Sequence, residues 1–136
     1  MIEYVQEFNA RFGLPIGNDD QLKDAATQNY RLGFLAEELD ELAQALEDGD
    51  RVGAFDALLD LVYVAQGTAL FMGINPEQWN AGMKAVHQAN MSKVRAASKD
   101  SSKRNSAFDV VKPDYWVGPE ETLKDILSAP NQLRSL

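Results

Sequence analysis

Apolar residues recur along most of this chain at spacings of three and four, the period of helices that bury one face. Ile2, Val5, Phe8 and Phe12 predict a short helix over residues 1–12, stopped at Gly13-Leu14-Pro15. A turn at Gly17-Asn18-Asp19 offers N-caps for a long helix that reaches Glu47, with Leu35, Leu39, Leu42 and Leu46 as its apolar stripe. Asp48-Gly49-Asp50 breaks that helix and opens a third, which runs to Met72 and ends at Gly73. Asn75-Pro76-Glu77-Gln78 is a restart signal: Asn as cap, Pro at the first helical position, and Gln three residues after the cap. The fourth helix carries Trp79, Met83, Val86 and Asn90 on one face and is expected to continue to Ala97. Residues 98–106 are polar and lack a period, which predicts a mobile loop. Val110-Val111 suggests a short extended piece, and Gly118-Pro119 leads into a last helix ending at Ser128. The expected fold is all-α: one domain over residues 1–136, a four- to five-helix antiparallel bundle, with 98–117 irregular.

Composition narrows the chemistry. The formal net charge is −8, so a basic face that binds nucleic acid by releasing counterions is not expected. The absence of cysteine excludes disulfides, thiolate zinc sites and cysteine nucleophiles, and agrees with a cytoplasmic setting. MIEYVQEF has neither the charged nor the apolar region of a signal peptide. The run from Leu58 to Ile74 is almost long enough to cross a membrane. Asp60 and Gln66 within it argue for a core helix, and no membrane partner is expected.

Five acids stand out against this apolar background. Glu37, Glu38 and Glu41 lie on the second helix, and Asp56 and Asp60 are the only charges between Phe55 and Met72 on the third. Glu38 and Glu41 fall on the shoulder of the leucine stripe, one turn apart. Asp56 and Asp60 are likewise one turn apart, in line with Tyr63 and Gly67. The short break at 48–50 makes the two helices antiparallel neighbours, with both acidic pairs at comparable distances from the turn. Carboxylates in apolar surroundings are costly unless paired or metal-bound. Glu38, Glu41, Asp56 and Asp60 would together form an all-oxygen site for a hard cation such as Mg²⁺, with Mn²⁺ as a substitute. The competing reading is a solvated acidic face, which suffices for Asp40, Glu47 and Asp48. Asp60 sits among Leu58, Leu59, Leu61 and Val62, and resists it.

The run EELDEL followed by DALLDLVYVAQGTAL resembles the MazG-like all-α nucleoside triphosphate pyrophosphohydrolases, whose pattern is E-E-x-x-E, a gap, then E-x-x-D. VHQANMSK and DVVKPDYW are similar to a subgroup, viral members included, with a V-H-x-x-N-x-S-K helix and a following K-P or K-G-P segment. The resemblance runs from Phe8 to Ile126. It implies that Glu38 and Glu41 ligate Mg²⁺, that Asp60 is the second-motif aspartate, and that Glu37 orients or deprotonates the attacking water. The sequence departs from the pattern where the family glutamate is Ala57; the acid stands one position earlier, at Asp56. The implied reaction is Mg²⁺-dependent cleavage of a nucleoside triphosphate to the monophosphate and pyrophosphate. Phosphoribosyl-ATP is an alternative substrate on the same fold. A non-catalytic metal-binding module and a metal-free oligomerisation module are the rivals from other classes.

Asn90 and Lys93 continue the apolar stripe of the fourth helix, where a core face would be. Either the helix overruns the bundle, or they meet phosphate, as the resemblance implies for N-x-S-K. Lys112 is a further phosphate candidate. Tyr115 and Trp116 either close over a nucleotide or pack the C-terminal segment, and His87 reads as a surface or supporting group. Phe8 and Phe12 are explained by core or dimer packing. Val64, Leu61 and Phe71 on the third helix are expected to need cover, which with the resemblance predicts a homodimer or a dimer of dimers.

Overall fold

The computed structural model describes residues 1–18, 20 and 23–128, and the protein is all-α: five helices and one two-residue ladder. Two compact units divide it, residues 1–79 and 80–136.

In the first unit, α1 (Ile2–Arg11), α2 (Ala25–Glu47) and α3 (Arg51–Phe71) carry the structure, with α3 packed against both others. Asp24 caps α2, accepting from the Thr27 N–H at 3.0 Å. The cap is therefore later than Gly17-Asn18, and Asp19 lies outside the described residues. Gly17 has a different use: its N–H donates to the Leu70 carbonyl, and a Cβ there would collide with the Phe71 backbone. Asp50 caps α3 through the Gly53 N–H at 2.9 Å, and Gly49 supplies the left-handed turn, φ 66°. At the far end Gly73, φ 79°, terminates α3 as expected.

The centre of the α2–α3 contact is not the leucine stripe but its shoulder, with Leu35 and Leu42 half-buried beside it. The buried residues of α2 are Arg31, Glu38 and Ala45, spaced by seven, while Leu39 and Leu46 are 57% and 65% exposed. Against that seam α3 buries Ala54, Ala57 and Val64. Small residues let the two helices approach closely, which leaves no room for a row of leucines between them. Val64 is thus covered within the chain. The open face of α3 holds Phe55, Leu58, Leu59 and Val62 instead. By length and composition alone α3 could cross a membrane, with a window of mean hydropathy 1.3 that is 39% buried. The tightest apolar cluster is small: Ile2, Val5 and Leu70, with Trp79 against it.

α4 (Pro76–Met91) opens with the anticipated reciprocal cap, the Gln78 N–H donating to Asn75 Oδ1 at 2.8 Å and the Asn75 N–H to Gln78 Oε1 at 3.0 Å. It ends at Met91, six residues before the expected Ala97, because the chain turns into β1 (Val94–Arg95). Ala85 is its buried residue, whereas Met83, expected in the core, is exposed. β1 pairs antiparallel with β2 (Val110–Val111), Val94 opposite Val111. The connection is irregular apart from one short turn. A 3₁₀ turn spans Lys99–Ser101, and the Asp109 carboxylate accepts from Ser102 Oγ at 2.7 Å and from Arg104 Nη1 at 2.9 and 3.0 Å. Polar side chains here build the segment by bonding to one another, a source of order that hydropathy does not register. α5 (Glu120–Ser128) closes the described chain where the sequence placed it.

Candidate active site

Glu38 is the centre of the acidic group. It projects from the shoulder of the leucine stripe, which is the buried seam of α2, and is 8% exposed. Its Oε2 is buried without a hydrogen-bond partner. Its carboxyl is pushed above the usual carboxylate range, first by burial, then by the negative charges of Glu41, Asp60, Glu37 and Asp56. These are the five acids singled out along the chain. Asp60 is half-buried, and Glu37, Glu41 and Asp56 are exposed. The helix–turn–helix geometry brings Asp56 and Asp60 up one antiparallel partner while Glu37, Glu38 and Glu41 come down the other.

Among the described residues, no three His, Asp or Glu side chains are gathered around one point as a ready cation cage. The residues nevertheless fit a hard cation. The donors are all carboxylate oxygens, and a buried oxygen with no partner amid four neighbouring negative charges is an arrangement that a divalent ion relieves. The leucines beside Asp60 do not bury it in the single chain; Leu58, Leu59 and Val62 are themselves exposed.

The second unit gathers cations. Trp116 is fixed by its indole N–H, which donates to the Ala89 carbonyl at 2.8 Å. Over its ring stand Lys112 Nζ at 4.8 Å and Lys93 Nζ at 5.3 Å from the centroid. The ladder register explains the convergence: Lys93 and Lys112 are the next residues beyond the Val94–Val111 pair. Lys93 is thus placed by a turn and a strand, and the expectation that it continues the stripe of the fourth helix is corrected. Asn90 is exposed in the last turn of α4, and His87 is exposed on the same helix. Tyr115 is exposed, so of the aromatic pair only Trp116 packs.

The sequence reading missed Arg31. It is 6% exposed, with Nε donating to Thr68 Oγ1 at 3.0 Å and Nη2 to the Val64 carbonyl at 2.9 Å. A cation seven residues before Glu38 on one helix face was the available signal; the leucine stripe drew attention to the neighbouring face.

The family model described as phosphoribosyl-ATP pyrophosphohydrolase matches residues 5–90, which hold all five acids. No curated protein matches the chain.

Proposed function

Because the chain belongs to the phosphoribosyl-ATP pyrophosphohydrolase family, a group of nucleotide pyrophosphohydrolases, we propose that it hydrolyses a nucleoside triphosphate between the α and β phosphates. The observation that carries this reading is Glu38, a buried carboxylate with an orphaned oxygen and four acids bearing on it. Glu38, Glu41, Asp56 and Asp60 would hold Mg²⁺, or Mn²⁺ in its place. When bound, the ion supplies charge neutralisation on phosphate oxygens and a more acidic water.

The chain's own residues do the rest. Glu37, exposed and adjacent to Glu38, accepts the proton of the attacking water. Water adds across the α–β anhydride, the bond to the bridging oxygen breaks, and the monophosphate and pyrophosphate separate. In the second unit, Lys93 and Lys112 on the Trp116 face are the point charges the resemblance suggests for phosphate oxygens, and Asn90 is a neutral hydrogen-bond donor. A −8 protein needs such cations to hold a polyanion. Phosphoribosyl-ATP is the second reading, favoured by the family match itself.

The test is pyrophosphate release from a panel of ribo- and deoxyribonucleoside triphosphates and phosphoribosyl-ATP, with and without Mg²⁺. Metal-dependent release from a triphosphate supports the proposal. Turnover of phosphoribosyl-ATP alone selects the second reading, and cation binding without turnover leaves a regulatory module.

A further inference from the structure

Arg31 is a buried cation with no role in the chemistry above. Among the described residues no carboxylate pairs with it. Its guanidinium carbon lies 4.9 Å from the Phe71 ring centroid, 5.4 Å from that of Tyr30 and 5.5 Å from that of Phe34. Burial pushes its pKa down, with the Tyr30 hydroxyl acting in the opposite direction. Gly67 makes room for it, since a Cβ there would stand 2.8 Å from Nη2. Guanidinium donors go to Thr68 and Val64, which fix the fork against α3, and a side-chain hydrogen bond with Tyr30 also bears on it.

Arg31 also lines a cavity of about 240 Å³, with Thr27, Gln28, Leu35, Thr68 and Phe71 among its other walls. That is below the ~300–1,000 Å³ of pockets that hold drug-sized ligands, so it suits one planar ring system and not a whole nucleotide. The walls are mostly apolar, and Thr27, Gln28 and Thr68 are the polar residues beside the arginine. Arg31 and Glu38 share the buried seam of α2 seven residues apart, which at the helical rise is about 10 Å. That is the scale on which a nucleotide separates its base from its phosphates.

We propose that this cavity seats the nucleobase of the substrate, and that Arg31 reads a carbonyl oxygen on it. The inference rests on the nucleotide pyrophosphohydrolase reading and extends it to base choice. A guanidinium fork matches the O6/N7 edge of guanine, and the O4 of uracil or thymine accepts a single bond from it. Adenine turns an amino donor toward the arginine, leaving two donors face to face in an apolar site. Keto bases, guanine foremost, are therefore preferred over adenine, which also sets this chain apart from a phosphoribosyl-ATP hydrolase.

The test compares kcat/KM for Mg²⁺-dGTP, dUTP and dATP, together with calorimetric binding of guanosine and adenosine without metal or phosphate. Wild-type protein is expected to favour dGTP and dUTP over dATP by about tenfold or more. Thr27→Phe fills the cavity from the first turn of α2 without touching the bonds of Arg31. It should raise KM for dGTP about tenfold with kcat little changed, at the cost only of the Thr27 Oγ1 bond to Asp24 at the helix cap, and Arg31→Lys should erase the preference. Equal use of dATP, or unaltered kinetics in Thr27→Phe, overturns the base site while leaving the pyrophosphohydrolase intact. If no triphosphate is cleaved, the proposed function fails, and the nucleosides decide the cavity. Saturable guanosine binding that Thr27→Phe abolishes upholds it; none overturns it.

Discussion

A carboxyl group raised in the folded state is a liability at neutral pH, and Glu38 is such a group. Between its unfolded and folded pKa the native state binds more protons, so its contribution to stability falls as pH rises through that window. Glu38→Gln should therefore melt at a higher temperature than wild type at pH 7 without metal, and the gain should vanish below the carboxylate range. Differential scanning at several pH values reads this directly. The same substitution should weaken the stabilisation given by Mg²⁺. For Asp60→Ala the expectation is loss of turnover by more than about a hundredfold, with helical circular dichroism retained. Activity within a few-fold of wild type would remove Asp60 from the site. Lys93→Ala should lose about 1.5–3 kcal/mol of transition-state binding, roughly ten- to a hundredfold in kcat/KM, with Mg²⁺ affinity in the absence of nucleotide unchanged. Loss of metal binding instead would show that the lysine props a carboxylate.

At the scale of elements, the α2–α3 hairpin holds the acids in register, and its turn is built from Asp50 and Gly49. Asp50→Ala removes the acceptor of the Gly53 N–H and should cost about 1 kcal/mol in denaturant unfolding. If register is what aligns Glu38 with Asp60, Mg²⁺-induced stabilisation should drop with it. The two-residue ladder plays the matching part for the cations: with Val94 opposite Val111, Lys93 and Lys112 leave its open end side by side. Two like charges there repel, and the Trp116 face and its bond to Ala89 offset the cost.

For the molecule as a whole, the tightest core is too small for its apolar content. Ile2, Val5 and Leu70 are its centre, while Leu39, Leu46, Phe55, Leu58 and Leu59 lie open on α2 and α3. Apolar faces of that extent mark interaction surfaces. The chain is expected to form a homodimer through α2 and α3. Light scattering at micromolar concentration should give twice the 15.1 kDa chain mass. Leu39→Glu should shift the population to monomer, and a wild-type monomer would contradict the assignment.

Sequence alone determined the features that short-range chemistry controls. Helix period, the reciprocal cap at Asn75 and Gln78, the stop at Gly73, the break at Asp48–Asp50 and the start of α5 follow from bonds within a few residues, and the structure has each of them. The five acids were legible for a similar reason: charge is rare inside an apolar helix, and one turn separates the members of each pair. Which face of α2 is buried was not legible. Periodicity finds an apolar stripe but not its partner, and close helix packing chose Arg31, Glu38 and Ala45 over the leucines. Only that choice makes Glu38 the perturbed carboxyl and Arg31 a cavity wall. Likewise the meeting of Lys93 and Lys112 on Trp116 depends on a strand register set between residues seventeen apart, and long-range pairing of this kind leaves no local trace in the sequence.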